Sequence, residues 1–168
     1  MDHVDKILSQ WQQERPDLDV SPMGTLGRLK RLNHALMRAM EKTWVRYGLN
    51  ESSFDVLATL RREGPPFALS PSALMASTMV TSGTMTHRLQ QLEKSGLIER
   101  IKNPADGRGF LISLSEKGFA LIDEAVAAHV ATQHALVAGL DAARRAQFDA
   151  LLKEFQYLLD EGAGARPE

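Results

Sequence analysis

The sequence predicts a mainly α protein with a small β-hairpin, laid out as a winged helix-turn-helix between long N- and C-terminal helices. Three observations predict it. Apolar residues recur at helical spacing over long stretches at both ends of the chain. Near the middle, a short helix with a strong start signal is separated by a tight turn from a second helix whose outer residues are polar. Directly after it, two alternating segments enclose a Gly-rich tip.

Residues 3–14 read as a short helix with Val4, Ile7, Leu8 and Trp11 on one face, stopped by Pro16 and Asp17. A long helix follows from about Gly24 to Tyr47, with Leu26, Leu29, Leu32, Leu36, Met40 and Trp44 as its stripe and Gly48 at its C-terminal cap. Asn50 caps a helix over 51–63 that buries Phe54, Leu57 and Leu60, and Gly64-Pro65-Pro66 ends it. Ser70-Pro71 starts a helix of about two turns carrying Leu74 and Met75. The turn Met79-Val80-Thr81 leads into a helix over 82–95, with Met85, Leu89 and Leu92 inside and Gly96 closing it. Strands follow at 97–101 and 110–114, joined by a turn-rich tip over 102–109. Ser115 caps a long helix to about Leu140, and Asp141 opens another through Leu159. Gly162 to Glu168 read as a frayed polar tail.

Composition narrows the function classes. A chain of 168 residues that is 43% hydrophobic and 24% charged can bury a real core. There is no cysteine, which excludes disulfides, thiolate zinc sites, cysteine nucleophiles and thiol redox sensing. No apolar run is long enough to span a bilayer, and the acidic start Met1-Asp2-His3-Val4-Asp5 has no signal-peptide core, so a cytoplasmic protein without a membrane partner is expected. No nucleophile–base motif, phosphate loop or metal cluster is present, so neither catalytic residues nor a cofactor are expected. His129 and His134 are five apart and do not share a helix face as metal ligands would, so they read as structural or solvated.

The net charge of −1 hides an asymmetry. Residues 1–24 hold two Lys/Arg against five Asp/Glu (−3), residues 25–114 hold 13 against seven (+6), and residues 115–168 hold five against nine (−4). A basic centre suits the phosphate backbone, although a solvated mixed surface has the same arithmetic. The outer face of the second short helix offers Ser82, Gly83, Thr84, Thr86, His87, Arg88 and Gln90: small residues for close approach, longer ones for base edges or phosphates. Alone, this pattern also suits an αα-hairpin. The hairpin tips the balance towards double-stranded DNA, because Lys102 and Arg108 flank a tip that fits a minor groove and Asp106 is placed to orient Arg108.

At these residues the chain resembles a known family. Leu69-Ser70-Pro71-Ser72-Ala73-Leu74, then Thr81-Ser82-Gly83-Thr84-Met85-Thr86-His87-Arg88-Leu89, then Leu92-Glu93-Lys94-Ser95-Gly96-Leu97-Ile98-Glu99-Arg100 resemble the MarR family of winged-helix regulators. Asp106-Gly107-Arg108 is similar to that family's wing tip, with Gly107 and Gly109 around a single Arg where two consecutive Arg are commoner. Leu114-Ser115-Glu116-Lys117-Gly118 is similar to the entry to its long helix. The resemblance implies a homodimer on a palindromic operator. Residues 1–48 would supply an extra helix and a dimerisation helix, 49–114 the DNA lobe, 115–162 the C-terminal dimerisation helices and 163–168 the tail. Independently, the terminal helices carry more apolar residues than a small lobe can cover, which burial against a twin would resolve; intramolecular packing is the alternative.

The extra helix and the stretch Phe54-Asp55-Val56-Leu57-Ala58-Thr59-Leu60-Arg61-Arg62 resemble the urate-responsive, PecS-type branch. That resemblance implies a ligand site of Trp11, Asp55 and Arg88, with Glu63 standing where an amide is known. Trp11 offers a flat face and an N–H to a purine, and Arg88 a fork of donors to its anion. Asp55 would pair with Arg88 until the ligand repels it. Each has a plainer reading: Trp11 as a packing anchor, Asp55 and Arg88 as a structural ion pair, Arg88 as a phosphate contact. Phenolic or other aromatic carboxylates are the alternative ligands.

Overall fold

In the computed structural model of the protein, which describes residues 1–78, 82–103 and 109–164 with side chains outside 82–84 and 162–164, the first helix starts at a reciprocal cap. Asp2 accepts from the Asp5 N–H (2.8 Å) and Asp5 accepts from the Asp2 N–H (2.7 Å) at the head of α1, His3–Glu14. Those backbone bonds, and the guanidinium of Arg28, hold the Asp2 carboxyl below its ordinary pKa. Arg28 also pairs with Asp5, so one arginine of the next helix fastens both capping carboxylates.

That next helix, α2 (Ser21–Val45), begins three residues before the expected Gly24, with Pro22 in its first turn. Its two early glycines are spacers rather than breakers. A Cβ at Gly24 would lie 3.1 Å from Leu8 Cδ1, and one at Gly27 would lie 3.4 Å from Val4 Cγ1, so the glycines let α1 lie close along α2. The helix stops at Val45, two residues before the expected Tyr47, and the chain reverses through a turn to Gly48, whose φ of +67° belongs to the left-handed region, while the Leu49 N–H reaches back to the Trp44 carbonyl (3.1 Å).

Asn50 caps α3 (Glu51–Glu63) by accepting from the Ser53 N–H at 2.9 Å, and Ser70 caps α4 (Pro71–Ser77) by accepting from the Ala73 N–H at 3.2 Å. Between them lies β1 (Ala68–Leu69), which the sequence reading missed. The turn Met79-Val80-Thr81 lies outside the described residues. Helix α5 spans Ser82–Lys94 and closes at Gly96 with the same kind of backbone reversal as α2. Strand β2 (Ile98–Lys102) runs one residue later than expected, and β3 (Phe110–Leu114) is where expected. The sheet is antiparallel in the order β1-β3-β2, with Arg100 opposite Ile112 and Lys102 opposite Phe110.

Leu57, Leu60, Leu74, Met85, Ile112 and Ile122 are fully buried together, and Trp44 joins this core from α2. Helix α6 (Glu116–Val137) begins against the turn at Gly96 and Leu97. Ser115 accepts from the Gly118 N–H (2.9 Å) and donates to the Gly96 carbonyl (2.7 Å), and Gly118 itself has no room for a side chain, because a Cβ there would overlap the Leu97 carbonyl.

The chain forms two compact units, Met1–Val130 and Ala131–Glu168, with the boundary inside α6. In the second unit α6 stops at Val137 rather than Leu140. Asp141 caps α7 (Ala142–Gly164) by accepting from the Arg144 N–H at 2.8 Å. This helix runs past the expected end at Leu159 and through the glycines expected to begin the tail. Among the described residues, no helix is long and apolar enough to cross a membrane.

Candidate DNA interface and effector site

Helix α5 sorts its residues by period. Met85, Leu89 and Leu92 point into the core, while Thr86, His87 and Gln90 are exposed on the outside. Ser82, Gly83 and Thr84 occupy its first turn, with side chains outside those described. Lys102 is exposed at the end of β2, where the Asn103 N–H donates to the Gly109 carbonyl (3.0 Å) across the base of the hairpin. Arg108 and Asp106 lie outside the described residues.

Arg88 stands apart from its neighbours on α5. It is half-buried, and its Nη1 is buried with no hydrogen-bond partner among the described residues. An unpartnered guanidinium nitrogen away from water is energetically costly, so this atom is primed for an acceptor. Asp55 is half-buried on α3, and Glu63 is exposed at that helix's last residue. Trp11, 41% exposed, lines a groove of about 300 Å³ on α1 together with Ile7, Gln10 and Glu14. Neither Asp55 nor Arg88 is among the residues lining that groove. The three positions therefore stand on three elements, and the groove gathers only the first of them.

Three clusters went unread in the sequence. Arg61 on α3 pairs with Asp123 on α6 (2.8 Å), its guanidinium carbon 4.6 Å from the Phe119 ring centre and 5.4 Å from that of Phe67. Phe67 is held at a φ of +57°, which is unfavourable for a bulky residue. No local signal announces such a knot, because its ion-pair partners are 62 positions apart. Arg100 on β2 pairs with Glu93 on α5 and lies over Phe110 on β3; the strand period carries a trace of it, since Arg100 and Phe110 share a face once the register is known. Finally, Trp44 Nε1 donates to His129 Nδ1 (3.2 Å), and the imidazole packs against Trp44 and Phe54, with ring centres 5.7 and 4.7 Å away. Burial lowers the His129 pKa from its ordinary value. His129 is thus built into the packing, and among the described residues no cluster of His, Asp and Glu could hold a metal ion.

A capped helix, a second helix with a polar outer face and a hairpin closed at its base together make a winged helix-turn-helix. A model of the MarR family matches residues 49–110. The HTH-type transcriptional regulator PecS of Dickeya dadantii is 40% identical over 149 residues, covering 89% of this chain and 90% of the relative. The chain belongs to the MarR family. Within that family it is a transcriptional regulator of the PecS type, not an enzyme. A MarR-like regulator from Bacillus cereus shares the fold, with a TM-score of 0.73 at 20% identity over 84% of this chain and 99% of the neighbour. The regulator BpsR of Bordetella bronchiseptica, whose DNA binding is regulated by 6-hydroxynicotinic acid, has a TM-score of 0.68 at 25% identity, covering 83% of this chain and 96% of that one.

Proposed function

We propose that this MarR family regulator binds a palindromic operator as a homodimer, acts as a cytoplasmic repressor, and is released from DNA by urate or a related purine anion. The observation that carries the reading is Arg88: an inward guanidinium with a buried, unpartnered nitrogen, on the helix whose opposite face carries Thr86, His87 and Gln90. A ligand that engages Arg88 acts directly on the element that reads bases. Asp55 on α3 supplies the opposing charge, so an arriving anion competes for Arg88 and repels Asp55, and α5 shifts. Because Trp11 stands on α1, the ligand would draw α1 and the lobe together, its plane against the indole and its negative edge on Arg88.

The dimer is supported by apolar faces left open within one chain. Leu26 (52% exposed), Leu29 and Leu32 line α2, and Leu151 (64% exposed), Leu158 and Leu159 line α7. In this reading residues 1–48 and 115–162 form the dimer body, and 49–114 the DNA lobe, with Ser82, Gly83, Thr84, Thr86, His87 and Gln90 on the operator bases and Lys102 and Arg108 on the wing.

Titrating urate into the operator complex of the wild-type protein tests the ligand, with an expected loss of DNA affinity of roughly five- to 150-fold. Asp55→Asn blunts the release more than the binding. Arg88→Ala loses the response. Trp11→Phe weakens urate binding and leaves DNA affinity intact; unchanged urate affinity in that variant would make Trp11 a packing residue only. A second reading, release by an aromatic carboxylate, is favoured by the likeness to BpsR and its 6-hydroxynicotinic acid. That acid and salicylate, titrated in parallel, separate the two.

A further inference from the structure

The wing and the recognition helix are separate pieces of chain, and a regulator that reads DNA with both must fix the angle between them. Arg100 stands where they meet. Its Nε lies 3.1 and 3.2 Å from the two carboxylate oxygens of Glu93, on the penultimate residue of α5. Its guanidinium carbon lies 4.5 Å from the centre of the Phe110 ring, on the first residue of β3. Arg100 itself is the third residue of β2.

The strand register explains the geometry. Arg100 faces Ile112 and Lys102 faces Phe110, so Arg100, Lys102, Phe110 and Ile112 all project from the face of the hairpin that turns towards the core. Ile112 is fully buried. Beyond it the sheet runs past the rim of the core, and the same face is continued by Arg100 and by Phe110, which is 41% exposed. There the guanidinium covers part of a large ring that the core does not reach. The arginine in turn is held at the ring by a carboxylate on the recognition helix.

We propose that Arg100 is a positioning residue: through Glu93 and Phe110 it clasps the wing to the recognition helix, so that the operator meets both as one rigid body. The inference rests on the operator-binding reading above and deepens it. It also reassigns a basic residue beside the wing, since a guanidinium engaged with a carboxylate and a ring is committed to the protein rather than to a phosphate. Glu93 acquires a role opposite to the one its charge suggests. Near a polyanion an uncommitted carboxylate opposes binding, whereas a carboxylate that sets the wing angle favours it.

The test uses the full-length protein and a DNA duplex that the wild type selects from a random-sequence pool, with affinity measured across a series of salt concentrations. Arg100→Gln, Glu93→Gln and Phe110→Leu are each expected to weaken binding by about five- to tenfold. The slope of log affinity on log salt is expected to stay at the wild-type value. All three partners are partly exposed, so melting temperatures should stay near wild type and report intact folding. Arg100→Lys is expected to rescue poorly, because an ammonium keeps the charge but not the flat, forked geometry. Combining Glu93→Gln with Arg100→Gln should add little to either alone.

Three results would overturn the clasp: a slope lowered by about one in Arg100→Gln with near-complete rescue by lysine, which makes Arg100 a phosphate contact; tighter binding by Glu93→Gln; or unchanged affinity in all three variants. Failure of the wild type to select any duplex overturns the operator reading first, and the clasp with it.

Discussion

The winged lobe and the long helices use the same apolar alphabet to different ends. In the lobe, Leu57, Leu60, Leu74 and Ile112 vanish from solvent within a single chain, and even the arginines at its edges, Arg61 and Arg100, are tied to a carboxylate and an aromatic ring. On α2 and α7, leucines at equally regular spacing stay open. Burial of an apolar side chain is worth about 1.5–3 kcal/mol, so a stripe left uncovered forgoes much of the stabilisation available to it. The difference teaches that the lobe buries its apolar residues within one copy, whereas the long helices leave theirs open, which is what the proposed dimer would cover.

The sharpest way to break the complete half is at Gly118. A methyl group there would overlap the backbone oxygen of Leu97, which lies in the turn between α5 and β2 and has no flexible end to swing away. Gly118→Ala should destabilise the lobe by more than the ordinary overpacking range of about 1–3 kcal/mol. Chemical denaturation is the measurement, and a loss below about 1 kcal/mol would mean that α6 can slide freely at its entry. Leu57→Ala comes next, at about 2–5 kcal/mol, because its surroundings are fully packed. Its effect should be the same at low and high protein concentration.

The open half should behave in the opposite way. If a second copy covers these faces, the melting temperature of the wild type rises with concentration. The double variant Leu151→Glu with Leu158→Glu should abolish that dependence while changing the melt of the dilute protein little, since both residues are exposed in one chain. A wild-type melt that ignores concentration would remove the dimer from the account.

Much of this contrast was legible in the sequence, and the misses have physical causes. Caps are local, so Asn50, Ser70 and Gly96 could be read directly and stand where expected. Strand β1 was invisible because two residues carry no period and exist as a strand only through pairing with β3. The start of α2 was placed late because Gly24 reads as a boundary, whereas its use is to admit Leu8 of α1. At the candidate sites, the outer face of α5 followed from helical period. The partners of Arg61 and Arg100 did not, because charge pairs across elements depend on a register that composition does not encode. Trp11, Asp55 and Arg88 were named together by resemblance; they stand on α1, α3 and α5, and Trp11 lines a groove on α1.

The smallest effect belongs to His129, where α6 passes the lobe core. Its Nδ1 accepts the Trp44 indole N–H, so a proton on that nitrogen would face a donor, and burial against Trp44 and Phe54 already disfavours the charged ring. The sign follows from linkage. A histidine whose folded pKa is depressed binds its proton more readily in the unfolded chain, so stability is fully present above the ordinary value of about 6.5 and declines as pH falls from there through the folded pKa. Melting curves between about pH 7.5 and about pH 5.5 should therefore fall more steeply for the wild type than for His129→Asn, whose amide can still accept the indole N–H but takes up no proton. The difference between the two proteins isolates this ring from every other titrating group, and because His129 is only partly buried it should be modest. Parallel curves would show that the Trp44 contact is indifferent to protonation.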